Sequence, residues 1–492
     1  MGIKINSGII TLITSIGIAI IYFSFPFAEP SNDAIAYAAA VKWGYDFWNP
    51  HHLLHPVPAR IVLYLFLLFD SKISPATALI SWNILSAIAI FNFLIKYLQK
   101  IRNWDYLPSL FAGLITLFSF GVWRFAIEGE AYLAPLAISV WAWYLYQSNQ
   151  KILGSILWGL SILFHQEFIL FPAIIYGIEI IRFPKNTLKY ILITGIAVVS
   201  GYSIIYLLYT THINFAEFLF RDFVQGNASF FPNYKALLLI PISFIRTWVQ
   251  IHGFQSDWRI HHPEIIVSEI ILFLICLAWI IYKRKAIHFY PIYKTLNASD
   301  YLFLGFFLFS AWFGGNAEFM VPLTLLFWTS ISARINFSFH QLMPICIFIF
   351  FWNLGMGIIP KSFYYWNPES QIIQQYQSFP NNTWWVVQDH NTLSNGILLS
   401  TGIYPERIMP SPGYYQQKFG STDILYQRID SLLKSGNKIF SDCPGRPGTM
   451  SRSAWMLEDS QDFWQQFFIQ QKYIIHCYSK DFPISEINLR NP

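Results

Sequence analysis

Residues 75–98 read PATALISWNILSAIAIFNFLIKYL, twenty-four positions in which Lys96, near the end, is the only charged side chain. As a helix this stretch is about 36 Å long, more than the roughly 30 Å of a bilayer's hydrocarbon core. Four further runs, Ile9 to Phe25, Lys189 to Tyr209, Ile265 to Tyr282 and Phe339 to Ile359, are of comparable length and character. Across the whole chain of 492 residues, 54% are hydrophobic, 19% are aromatic and only 12% carry a charge. That charged share is about half of what water-soluble globular proteins carry, which excludes an ordinary soluble enzyme and leaves a multi-pass membrane protein.

The net charge of +5 follows from topology rather than from nucleic-acid binding, because the basic residues sit in short loops between apolar runs. Lys4, then Lys96, Lys100 and Arg102, then Lys151, then Arg182, Lys185 and Lys189, then Lys283, Arg284 and Lys285, and finally Arg334 flank alternate ends of the runs. They assign those ends to the cytoplasm. Val57 to Phe69 is too short to cross and reads as an interfacial helix. The expected spans are 7–25, 75–98, 106–123, 131–147, 152–165, 167–181, 189–210, 264–282, 300–314, 317–333 and 339–359, eleven in all. The N-terminus is expected in the cytoplasm and the first run as an uncleaved anchor, its apolar core being too long for a signal peptide.

Beyond Lys361 the runs shorten and Gln, Asn, Ser and Pro rise. Trp384 to Val387 and Lys438 to Phe440 read as buried strands, and Ser421 to Leu433 and Trp455 to Gln470 as helices. The expected fold is therefore mainly α: residues 1–360 form a polytopic transmembrane helix bundle with juxtamembrane helices in the first outer loop, and residues 361–492 form a small extracytoplasmic α/β domain. Cys276 and Cys346 lie in apolar runs as small fillers. Cys443 and Cys477 lie in the outer domain, where an oxidising compartment permits a disulfide.

On this threading the acidic residues near the membrane gather on the outer side: Glu29, Asp33 and Asp46 in the first loop, Glu128 and Glu130 after the third span, Glu167 after the fifth and Glu318 after the ninth. His51, His52 and His55 share the first loop, His165 precedes Glu167 by two positions, and His212, His252, His261 and His262 occupy the long loop between spans seven and eight. Ionisable groups at membrane depth are costly and persist where they face a cavity with a partner or a task. One polar site at the outer boundary is expected. Asp33 also suits the plain role of a first-turn acid in a helix capped by Ser31 or Asn32, and Arg124 with Glu128 suits an i,i+4 ion pair. That pair accounts for one of the two glutamates flanking Gly129.

The anchor span, the first outer loop with Asp33, and Glu128-Gly-Glu130-Ala-Tyr132 after the third span resemble the GT-C type of membrane glycosyltransferase. That type includes protein mannosyltransferases and aminoarabinose and lipopolysaccharide sugar transferases. Asp33 matches the first acid of the family, Glu128 or Glu130 the second, and Asn49 to Pro56 stands where many relatives return to the membrane through a His-Pro-Pro-Gly type segment. Many relatives pair two acids in the first loop, whereas here Asp33 follows Asn32.

The resemblance implies transfer, with inversion, of a sugar from a polyprenyl-phosphate donor to a glycan, lipid or protein acceptor outside the cytoplasm, in the plasma or inner membrane. Asp33 is then the expected general base, with Glu128 and Glu130 as catalytic or positioning acids. Arg60, His51 and His52 are expected to contact the phosphate, with Arg246 and Arg259 as weaker candidates, and Arg124, His165, Glu167 and Glu318 complete the substrate site. The histidines admit a divalent metal, and no other cofactor follows. The bilayer is a partner; nucleic acid is not. A transporter or flippase for a lipid-linked substrate is the alternative, although such proteins show repeated halves and midplane charges absent from this sequence. A non-catalytic assembly component is the third reading.

Overall fold

A computed structural model of the chain describes residues 6–209, 214–220, 239–251, 262–283, 288–289, 296–313, 317–363, 373, 376–380, 382–387, 389–442, 473–477 and 484–489. The chain divides into two compact units, one of Met1–Phe27 with Tyr45–Ser362 and the other of Ala28–Gly44 with Phe363–Pro492.

The first unit is a helix bundle, and every one of the eleven expected runs is helical. It opens with α1 (Ser7–Ser24), and after the first loop come α3 (Pro56–Leu67), α4 (Pro75–Lys100), α5 (Tyr106–Phe118), α6 (Phe120–Glu128), α7 (Leu133–Gln147), α8 (Lys151–Phe164), α9 (Leu170–Ile180) and α10 (Pro184–Tyr209); α2 (Asn32–Trp43) belongs to the second unit. Later helices span Leu239–Trp248, Pro263–Tyr282, Ala298–Trp312, Val321–Ile331 and Phe339–Asn353, the last running on through a π turn to Phe363. Among the described residues five helices, Ser7–Ser24, Pro75–Lys100, Pro184–Tyr209, Pro263–Tyr282 and Phe339–Phe363, are long and apolar enough to cross a membrane; α5 and α6 taken together make a sixth. Run 106–123 is therefore not the straight span expected: the chain bends by 60° between α5 and α6, and the helical residues continue to Glu128.

α4 is the axis of this unit. Pro75 starts it and the Ser74 side chain accepts from the Thr77 N–H, filling the first turn's unpaired donors. Its sides pack on α3, α5, α6 and α7, burying Ile84, Ala87, Ile90, Phe91, Leu94 and Leu98. α3 has twelve residues, about 18 Å as a helix and too short to cross. It buries Ala59 and Leu63 but exposes Ile61, Tyr64 and Leu65, as an interfacial helix does. Two polar clusters mark opposite ends of α4. Near its end, Arg102 donates to Ser299 Oγ at 3.1 Å and to the Thr329 carbonyl at 2.9 Å, while Arg334 grips Asp300 through two bonds of 2.7 Å. Basic residues assigned to one side from the sequence, Arg102 and Arg334, thus meet at one end of the bundle. Near its start, Asn83 holds the loop that carries Glu128 and Glu130.

The second unit is built on a five-stranded mixed sheet. Thr383–Val387 pairs in parallel with both Ile408–Pro410 and Lys438–Asp442, and Ile484–Leu489 runs antiparallel between Lys438–Asp442 and Tyr473–Cys477. Alternation along Thr383–Val387 covers both faces: Trp385 and Val387 pack with Leu393, Ile397 and Phe440, and Val386 with Met409, Leu425, Ile429 and Ile439. The segment 28–44, placed with the transmembrane part from the sequence, packs here instead, because α2 is alanine-rich and lies close against the helix His390–Thr401. Lys42 and Trp43 both donate to the Leu399 carbonyl, at 3.1 and 3.0 Å, and Asn395 donates to Asn32 Oδ1 at 2.7 Å. Cys443 and the run Trp455 to Gln470 lie outside the described residues. Cys276 and Cys346 are buried and free.

Candidate active site

The site begins with a helix end. α6 stops at Glu128 because Gly129 takes the left-handed conformation, φ 90°, which costs an ordinary L-residue about 1–2 kcal/mol. This turn sets Glu128 and Glu130 on either side of the break, both buried. α4 secures it: the Asn83 amide donates to the Phe125 and Glu130 carbonyls at 3.0 and 2.6 Å. His55 Nε2 donates to the Gly129 carbonyl at 3.4 Å. Arg124 bonds Glu128 across one turn at 2.5 Å, the pair expected from their spacing.

Three other segments converge on this turn. Tyr132, just beyond it, donates to Glu318 Oε2 at 2.9 Å, and Arg124 interacts electrostatically with Glu128, Glu318 and Glu130. Arg246, on the helix Leu239–Trp248, acts on the same Glu128 and Glu318, and that helix packs on the turn Ala317–Met320. Two guanidinium groups and three carboxylates drawn from α6, the following loop, residues 239–248 and residues 317–320 therefore form one polar network, in which Glu128 and Glu130 are buried and the other three half-buried.

A second group adjoins it through Tyr132, whose ring lies 4.9 Å from that of His165. The rings of His51 and His52 lie 4.8 and 4.5 Å from His165 and 4.4 Å from each other. Asn49 caps the turn that presents the first two, its side chain accepting from the His51 N–H. His165 occupies the extended break after α8. Burial, reinforced by neighbouring His51, His165 and His55, pushes the His52 imidazole well below the usual histidine range, so it stays neutral near pH 7. Glu167 Oε2 is 3.9 Å from His165 Nδ1.

Of the residues singled out from the sequence, Glu128, Glu130, Arg124, Glu318, His51, His52, His165 and Glu167 thus fall in two adjoining groups of the first unit. Arg60 stacks its guanidinium 4.0 Å over the Phe47 ring. Asp33 stands in the first turn of α2, in the second unit, where Asn32 Nδ2 donates to it at 3.3 Å. His262 pairs instead with Glu264 at 3.1 Å; His212, His252, His261 and Arg259 lie outside the described residues. Tyr132 and Asn83 were not singled out. Tyr132 ends the quoted Glu-Gly-Glu-Ala-Tyr motif, which offered a signal, whereas Asn83 looks in sequence like any polar residue of an apolar helix.

No protein-family model matches the chain, and no curated protein does. Among solved structures, ArnT from Cupriavidus metallidurans bound to undecaprenyl phosphate matches over 97% of each chain, with a TM-score of 0.55 at 9% identity. The chain has the fold of ArnT. That is the GT-C type of membrane glycosyltransferase fold. The apo structure of the same ArnT aligns over 98% of both chains at 11% identity, with a TM-score of 0.46. The ArnT-like fold and the apolar helices together make the chain a multi-pass membrane protein.

Proposed function

We propose that this protein is a membrane glycosyltransferase that takes a sugar from a polyprenyl-phosphate-linked donor and transfers it, with inversion, to an acceptor hydroxyl outside the cytoplasm. The observation that carries the reading is the meeting of Arg124 and Arg246 with Glu318 and the buried Glu128 and Glu130 at the broken-helix end of the bundle. A donor of this class has an apolar tail at home in lipid and a charged head that needs a polar place at the membrane boundary. The likeness of fold to a protein bound to undecaprenyl phosphate supports the donor class.

The chemistry assigned to these residues is simple to balance. The acceptor oxygen attacks the anomeric carbon while the bond from that carbon to the lipid phosphate oxygen breaks, and polyprenyl phosphate leaves. The acceptor proton passes to a carboxylate, for which Asp33 is the proposed base on the strength of its place in the first loop. Arg124 and Arg246 stabilise the charge that builds on the departing phosphate. Glu130 and Glu318 orient sugar hydroxyls, with Tyr132 fixing the rotamer of Glu318. The N-terminus lies in the cytoplasm in this reading.

The test uses purified full-length protein in lipid vesicles with polyprenyl-phosphate sugars, reading released polyprenyl phosphate by chromatography. Release is expected from the wild type and lost in Asp33→Asn and Arg246→Ala, with both variants still inserted in the membrane. Full turnover in Asp33→Asn removes the base assigned here, and lipid-linked sugar crossing the vesicle with no phosphate release removes the transferase reading in favour of a flippase.

A further inference from the structure

Three imidazoles crowded together inside a membrane protein need an explanation that sugar binding does not supply. One ligand nitrogen from each of His51, His52 and His165 lies within 4.8 Å of the other two, with His165 fully buried and the others half-buried. The cluster gathers three imidazole nitrogens around one point.

The surrounding hydrogen bonds set the tautomers of His51 and His165. Gln166 Nε2 donates to the Pro50 carbonyl at 3.2 Å and to the Tyr202 hydroxyl at 3.1 Å, and Tyr202 in turn donates to the same Pro50 carbonyl at 2.8 Å. With its nitrogen so engaged, Gln166 turns its oxygen to His51 Nδ1 at 3.4 Å, so Nδ1 keeps the proton and Nε2 keeps the lone pair. On His165, Nδ1 accepts from the Glu167 N–H at 3.2 Å, and the buried Nε2 has no hydrogen-bond partner among the described residues. Both carboxylate oxygens of the buried Glu167 lack one as well. An acid buried beside three imidazoles, with its oxygens unbonded, is a polar group whose burial cost a cation would remove. It also stands where metal-bound histidines usually find a second-sphere acid.

We propose that His51, His52 and His165 bind one divalent transition-metal ion, zinc by preference. Glu167 and Gln166 act as the outer groups that orient the rings. Three imidazoles suit zinc and leave a fourth position for water or an anion. Ligand nitrogens around tetrahedral zinc stand roughly 3.3 Å apart, so the present spacing closes by about 1.5 Å, which rotation of the half-buried His51 and His52 side chains can provide. With Nδ1 accepting, the His165 proton sits on Nε2; ligation through Nε2 shifts it to Nδ1, which gives up the bond from the Glu167 N–H and turns to the Glu167 carboxylate, 3.9 Å away. The proposal stands apart from the transferase reading, because metal content is measured without turnover.

The experiment takes full-length protein purified in detergent, strips it with a chelator, and titrates it with Zn²⁺ alone and, separately, with Co²⁺ as an optical probe. Expected are about one zinc per chain and the intense visible bands of four-coordinate cobalt. His51→Ala and His165→Ala should each abolish both signals, Glu167→Gln should keep the site but weaken it by about 10–100-fold, and His262→Ala, remote from the cluster, should change nothing. A wild-type protein that takes up no zinc, or that shows only the weak bands of six-coordinate cobalt, overturns the proposal, as does undiminished binding in the triple variant lacking His51, His52 and His165. Should His165→Ala fail to fold, His51→Ala and the wild-type cobalt spectrum decide the matter.

Discussion

Replacing Asn83 with Ala should loosen the acidic turn without touching any acid. Asn83 is buried on α4 and its amide group donates to the Phe125 and Glu130 carbonyls, at 3.0 and 2.6 Å. Truncation strands both carbonyls in a dry environment, at about 1–3 kcal/mol each. Against that, Asn83 Oδ1 has no hydrogen-bond partner among the described residues, so its removal returns about 1 kcal/mol of desolvation. The net loss is about 1–5 kcal/mol. Asn92, two turns further along α4, provides the control. Its amide donates at 2.8 Å to the Ile88 carbonyl four residues before it on the same helix. That carbonyl keeps its helical bond, so Asn92→Ala should cost under about 0.5 kcal/mol. Unfolding of both variants by SDS titration in mixed micelles, followed by tryptophan fluorescence, measures the difference. If Asn83→Ala falls within about 0.5 kcal/mol of Asn92→Ala, the amide does not hold the turn and the account of how Glu130 is positioned fails.

Gly129→Ala should destabilise the same turn by about 1–2 kcal/mol, since φ is 90° and the added methyl would meet Leu79 Cβ at 3.3 Å; an unchanged unfolding midpoint would contradict the left-handed cap. In the second unit, burial holds the His390 imidazole down at about 4, with Lys418 adding to the effect and Asp389 opposing it. Above pH 6.5 the ring is neutral whether the unit is folded or not. Below that the unfolded chain gains a proton that the folded unit refuses, so stability falls by about 3 kcal/mol in all and levels off near pH 4. Amide hydrogen exchange in Thr383–Val387 between pH 4 and 7, corrected for intrinsic rates, should show this slope and His390→Phe should flatten it; equal slopes would refute the assignment. Finally, single cysteines at positions 262 and 283, at opposite ends of the helix Pro263–Tyr282 in a cysteine-free background, test orientation. An impermeant maleimide applied to intact cells should label His262→Cys and spare Lys283→Cys, and the reverse pattern would invert the threading.

The helices were legible because a hydrocarbon solvent makes a simple demand. A segment must be apolar and must pair its own backbone, and both requirements leave a mark in composition. What composition could not carry was the irregularity within a run. Ser119 is one serine in an apolar stretch, yet its N–H turns back to the Ile115 and Thr116 carbonyls and the next helix leaves at 60°. The cue lies 235 residues away in Asn353, whose amide donates to the Phe118 carbonyl at 2.8 Å. The fate of α2 was hidden for a related reason: alanine-rich helices suit any close neighbour, and the choice of His390–Thr401 is made by Leu399 and Asn395, far along the chain. The acids and histidines were visible as charges that a bilayer tolerates only with cause. Asn83 was not, because its value comes from the atoms it faces.

Those particulars share a physical origin. Glu128 and Glu130 flank the left-handed Gly129, His165 and Glu167 lie where α8 gives way to a short 3-10 turn, and Glu318 sits on another such turn before Val321–Ile331. A helix interior offers no unpaired backbone group and no room for a buried charge; a break offers both. Each break also exposes carbonyls that must be bonded inside the protein. Asn83 serves Phe125 and Glu130, His55 serves Gly129, and Gln166 serves Pro50. The side chains that repair the breaks are therefore neighbours of the side chains that use them, and Gln166 turns to His51 the one amide atom that Pro50 and Tyr202 leave over. It follows that weakening a repair should disturb chemistry before it unfolds the bundle, since α4 buries its apolar contacts along its whole length while each break hangs on one or two hydrogen bonds.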